Sequence, residues 1–90
     1  STVNSISKRF YEKYLPLEKE RVRLFQEEGL LKEYANRRFP HYFHKWYMEK
    51  YKSIQLEDAA ESKEILQSIY EMYAPYIEVD LDPEILEFVQ

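Results

Sequence analysis

The stretch DAAESKEILQSIYEMYAP, residues 58–75, decides the fold. Ser62, Ile65, Leu66, Ile69, Met72 and Tyr73 recur at three- and four-residue intervals, the spacing of a helix that buries one face. Asp58 stands where a capping side chain belongs. Pro75 closes the run, because the residue before a proline avoids helical angles. A single helix cannot bury its apolar face alone, so the remaining chain must supply partners of the same kind.

Working outward, the other prolines punctuate helices too. Pro16 and Pro40 suit first turns, and Asp82-Pro83-Glu84 combines a capping carboxylate, a first-turn proline and an acid at the positive end of the helix dipole. Ile6, Phe10 and Tyr14 predict a first helix over residues 5–15. Leu17, Arg21, Leu24 and Phe25, joined by Val22, predict a second from Pro16. Gly29 either ends that helix or lies within a longer one at a cost of about 1 kcal/mol. Leu30, Leu31, Tyr34 and Ala35 follow. Phe39, Phe43, Trp46, Tyr47, Lys50 and Tyr51 mark a helix after Pro40, and Ile85, Leu86 and Val89 a short last one. Residues 76–81 (YIEVDL) come nearest to a strand but would have no partner. The expected fold is all-α: a compact bundle of five or six short helices.

Composition bounds the chemistry. Ninety residues suit one domain spanning residues 1–90. The start at Ser1 rather than Met reads as a domain excised from a larger protein. One glycine disfavours a glycine-rich phosphate loop, and zero cysteines exclude disulfides, thiol catalysis and thiolate-bound zinc. No apolar run reaches the roughly 18–20 residues that cross a bilayer, so no membrane partner is expected. A chain without cysteine is compatible with an intracellular location, cytoplasmic or nuclear. No serine sits in a nucleophile context, and the chain is expected to be non-enzymatic.

His41 and His44 lie one turn apart, but a metal site needs further ligands, and the nearest acid, Glu49, lies five residues beyond His44. They read as partly exposed histidines, with no metal and no cofactor expected. Glu78, Asp80, Asp82 and Glu84 alternate as calcium-loop ligands do, yet Pro83 follows, no glycine supplies the turn and the twelfth-position Glu is missing.

Charge is unevenly spread. Residues 1–35 sum to +1, residues 36–56 to +4 and residues 57–90 to −9, which gives the total of −4. The basic segment is also the aromatic one: NRRFPHYFHKWYMEKYK, residues 36–52, holds six of the chain's fifteen aromatic rings. Most of them belong in the core, but six exceed what one helix face readily buries. Tyr, Trp and Arg are the residues enriched at binding hot spots. One or two of Tyr42, Tyr47 and Tyr51 are therefore expected at the surface beside basic side chains. Arg37, Arg38, Tyr42, Lys45 and Tyr47 form the expected partner-binding set, docking a segment of another protein or another part of the parent chain. Two other readings compete, one on the same surface and one on the C-terminus. The rings and bases would suit single-stranded nucleic acid, although the acidic tail opposes it. The terminal Ile85, Leu86, Phe88 and Val89 would suit self-assembly into a homo-oligomer.

Residues 30–86 resemble the middle of a regulator of G-protein signalling domain. Trp46 and Tyr51-Lys52 are similar to its aromatic helix, and residues 64–70 with Val79-Asp80-Leu81-Asp82 to its next helix and following loop. The resemblance implies a helical G-protein-binding module. However, Arg37-Arg38-Phe39-Pro40 replaces that family's acidic-asparagine contact turn, so no functional residue is carried over.

Overall fold

A computed structural model describes residues 5–90. Its chain folds as an all-α bundle with no strands among the described residues. Helix α1 is Lys8–Glu12 and α2 is Tyr14–Glu28. The break between them falls at Lys13, so Pro16 sits inside the first turn of α2, where a missing N–H is harmless. Helix α3, Leu31–Arg37, follows at once. Helix α4 is one continuous rod in three parts: Phe39–Tyr42, a π-helical turn Phe43–Met48, and Glu49–Tyr51. Helix α5 is Ala59–Tyr73, and a 3-10 turn at Ala74–Tyr76 takes up Pro75. Helix α6 is Pro83–Val89, with the Asp82 carboxylate accepting from the Glu84 N–H at 2.8 Å.

Gly29 ends α2. Its φ of 73° is left-handed, and the N–H groups of Gly29 and Leu30 donate back to the carbonyls of Gln26 and Phe25. That pair of bonds satisfies two of the orphan carbonyls that every helix end leaves. Asp58 corrects its expected role. It makes no side-chain cap on α5, and its Oδ2 instead accepts from the Lys8 N–H at 3.0 Å, capping α1 from across the bundle. A short parallel bridge next to that cap, between Ile6 and Ile54, holds the first described residues against the loop after α4.

The expected face of α2 holds at Val22 and Phe25, which pack on the core, and fails at Leu17 and Leu24. Leu17 and Leu24 are exposed at 57% and 45%, whereas Glu18 is 1% exposed. The inward stripe is Tyr14, Glu18, Val22 and Phe25, the same spacing turned by one residue. The core lies where α1, α3, α4 and α5 meet and is largely aromatic: Tyr11, Phe39, Phe43, Tyr47 and Tyr73 are all essentially inaccessible. Phe39 stacks on Tyr73 with ring centroids 4.1 Å apart. Phe39, Phe43 and Tyr47 stand four residues apart, and at 3.6 residues per turn that row would drift around the helix. The wider π-helical turn counters the drift, keeping all three rings in the core.

The acidic tail returns along α3. Asn36 organises it. Its amide donates to the carbonyls of Lys32 and Tyr76, at 2.7 and 2.9 Å, while its Oδ1 accepts from the N–H groups of Glu78 and Val79. These bonds give an irregular segment the backbone partners that it lacks internally. No helix among the described residues is long and apolar enough to cross a membrane.

Candidate functional site

Two features of the bundle combine charge with aromatic rings, one buried and one open, and Arg21 connects them. The buried one is Glu18. Its two carboxylate oxygens accept from the phenols of Tyr47 and Tyr73, at 2.5 and 2.6 Å. A carboxylate taken from water must recover strong hydrogen bonds, and bonds to an ionised acceptor are about twice as strong as neutral ones. Burial, reinforced by the Glu18 carboxylate, raises both phenols well above their ordinary range, so they stay protonated donors. Both carboxylate oxygens are thus engaged by phenols, and the group is sealed from solvent. It offers no reach to a substrate, so its work is positional.

What it positions is Arg21, one turn along α2. Arg21 Nε lies 3.9 Å from the Glu18 carboxylate, and its Nη1 donates to the Tyr34 hydroxyl at 2.6 Å. The guanidinium sits 5.6 Å from the Tyr34 ring centroid and 5.8 Å from that of Tyr42, within cation–π range. Arg21 therefore reaches from the buried carboxylate to the surface, oriented at both ends. Burial raises the Tyr34 and Tyr42 phenols too, leaving both rings neutral.

The open feature lies over those rings. Tyr34, Arg37, Arg38, His41 and Tyr42 line a surface cleft of about 480 Å³ between α3 and the start of α4. A second depression shares Tyr34, Arg37 and Arg38 and extends to Leu30, itself 46% exposed. Arg37, Arg38 and His41 are exposed, while the two rings are half-buried. Among the described residues neither arginine pairs with a carboxylate. Other cations do: Lys8 with Glu61, Arg23 with Glu20 and Glu27, Lys32 with Glu78 and Lys52 with Glu49.

The structure thus brings together three of the expected residues, Arg37, Arg38 and Tyr42. Lys45 is exposed but lies outside the basic cleft, in a smaller adjoining one with Pro40, His41, His44, Asp80 and Asp82. Tyr47 corrects the expectation outright. It is fully buried, because its hydroxyl has a carboxylate acceptor inside the bundle and its backbone carbonyl accepts from Tyr11. Tyr34 and His41 line the cleft and Arg21 contacts its two rings, and none of the three is in the expected partner-binding set. Tyr34 and Arg38 are four residues apart, as are Arg38 and Tyr42, so a helix passing through Pro40 carries the signal for the first. Arg21 has no such signal, because its contact depends on how α2 crosses α3.

The two histidines share the smaller cleft but differ in their other neighbours. His41 borders the basic cleft, while His44 Nε2 lies 3.4 Å from the Glu84 carboxylate of α6. Comparison with protein-family models, curated proteins and solved structures finds no match for this chain.

Proposed function

We propose that this chain is a non-enzymatic protein-binding domain whose Tyr34–Arg37–Arg38–His41–Tyr42 cleft receives an acidic segment carrying one apolar or aromatic anchor. The observation that carries this reading is the pair of exposed arginines, without carboxylate partners among the described residues, on the rim of a cleft floored by two half-buried rings. The tail places ten acids in residues 57–90, yet none of them reaches Arg37 or Arg38. A partner's carboxylates would supply the missing complement, and Arg offers them a two-pronged fork. Tyr34, Tyr42 and Leu30 would receive the anchor, in a cleft of the size that ordinarily holds a few side-chain groups.

The same geometry disfavours nucleic acid. One face of each cleft ring is already occupied by the Arg21 guanidinium, and Tyr42 also lies nearly parallel to Trp46, at 16°. Stacking of successive bases needs free ring faces, and phosphate tracking needs more cations than this cleft provides.

The test is selection from a displayed random-peptide library on the immobilised domain, followed by fluorescence anisotropy on the winners. Winners rich in Asp and Glu around a Leu, Phe or Trp are expected. Charge reversal of Arg37 and Arg38 should weaken them by about 30-fold or more, the loss of a hot spot worth ~2 kcal/mol. Lys45→Glu should leave binding unchanged. Winners without acids, or winners that bind the reversed protein equally well, would overturn the reading. So would tighter, steeply salt-dependent binding of an oligonucleotide, or self-association through this same face.

A further inference from the structure

We infer that His44, Asp82 and Glu84 form a binding site for one divalent transition-metal ion of the zinc class, joining α4 to the start of α6. One donor atom from each of the three side chains lies within 4.8 Å of the others. The donors come from two segments far apart in sequence, so the fold and not a local motif assembles them. His44 is held in the π-helical turn with only 17% of its side chain exposed, so its imidazole is placed by packing. Asp82 is held by its bond to the Glu84 N–H, which uses Oδ1 and leaves Oδ2 free. Glu84 is the most open of the three ligands, 68% exposed on an unbranched side chain.

One distance suits a shared ion as well as a direct ion pair. His44 Nε2 and the Glu84 carboxylate oxygen are 3.4 Å apart. That exceeds the ~2.7–3.2 Å of an ordinary N–H···O hydrogen bond. It matches the separation of about 3.4 Å between two donors on a tetrahedral ion with bonds of ~2.0–2.1 Å. Rotation of the exposed carboxylates closes the wider separations, and water completes the coordination. His41, Lys45 and Asp80 line one cleft with His44 and Asp82, and Glu84 lines an adjoining one with His44, Glu49, Lys52, Lys63 and Glu87. Asp80 adds negative charge, Lys45 opposes a cation, and His41, a turn before His44, is the remaining imidazole within the same cleft.

The donor set also names the class of ion. Calcium and magnesium call for six or more oxygens, whereas one imidazole with two carboxylates suits zinc, cobalt or nickel. The site would pin the irregular segment before α6 onto α4, so binding would stabilise the fold in proportion to occupancy.

The experiment is calorimetric titration of untagged protein with zinc chloride, repeated with calcium chloride, with cobalt absorption spectra reporting the coordination. One zinc per chain is expected, with a melting temperature raised by roughly 10 °C or more at a hundredfold excess over Kd. His44→Ala and Glu84→Gln should each weaken zinc by more than about tenfold, and Glu49→Gln should not. Glu84 is exposed, so its variant remains a fair test if His44→Ala fails to fold. Asp82→Asn keeps the helix cap and should still lose affinity. Three results would overturn the inference. They are zinc binding unchanged by Glu84→Gln and Asp82→Asn, zinc lost only with His41→Ala, and calcium binding as tightly as zinc.

Discussion

Replacing Glu18 by alanine removes the acceptor for two buried phenols at once. Tyr47 and Tyr73 are both 0% exposed and donate to Glu18 at 2.5 and 2.6 Å, so neither hydroxyl has water to turn to. Each stranded donor costs about 1–3 kcal/mol. The variant also leaves a void, while relieving the desolvation of the carboxylate. Taken together, Glu18→Ala should cost roughly 3–5 kcal/mol, the range for breaking a buried charged cluster by deleting one partner. Glu18→Gln keeps the shape and one carbonyl acceptor and should cost less, about 1–2 kcal/mol. Removing the whole polar cluster behaves differently. Glu18→Leu combined with Tyr47→Phe and Tyr73→Phe leaves no unpaired group and should lie within about 2 kcal/mol of the parent, on either side. Urea unfolding followed by far-ultraviolet circular dichroism measures all three. A Glu18→Ala cost below about 1 kcal/mol, or a triple variant whose cost equals the sum of its parts, would refute the reasoning.

Asn36→Ala should remove four hydrogen bonds, three of which hold the tail, and cost about 1–3 kcal/mol, with hydrogen-exchange protection lost first at Glu78 and Val79. Unchanged protection at those two amides would contradict that role. Alkaline pH should unfold the domain cooperatively. Burial raises Tyr11, Tyr47 and Tyr73 above their unfolded value near 10, so the unfolded chain ionises first. The stability held below about pH 10 should then fall by about 1.4 kcal/mol per pH unit for each buried phenol. Tyrosinate absorbance and helicity should change together, whereas smooth titration of all nine tyrosines near pH 10 with helices intact would contradict the burial.

The helices were legible because prolines and apolar spacing are local signals. Residues 58–75 needed only that reading, and Asp82 caps α6 as its sequence implied. The second helix shows where locality ends. Its apolar residues mark two adjacent stripes, and the one carrying Leu17 and Leu24 faces solvent. The inward stripe contains Glu18, which reads as a solvated charge beside Lys19 and Glu20. Only the arrival of two phenols from α4 and α5 makes it an inward residue. Tyr47 was misplaced for the same reason, since its buried acceptor lies on a helix distant in sequence. Asp58 was recognised as a cap but assigned to its own helix, because the Lys8 N–H reaches it through tertiary folding. Arg37, Arg38 and Tyr42, by contrast, do line one cleft, because they sit on short helical spacings and the two arginines stay exposed.

The most direct test of the cleft is a ¹H–¹⁵N correlation titration of the labelled domain with a selected acidic peptide. Shifts should gather at Tyr34, Arg37, Arg38, His41 and Tyr42, with the Arg21 Nε resonance moving alongside them, and should vanish when Arg37 and Arg38 are reversed in charge. Shifts gathered around Lys45, Asp80 and Asp82 in the adjoining cleft, with Tyr34 and Arg37 unmoved, or a pattern that survives the charge reversal, would contradict the assignment.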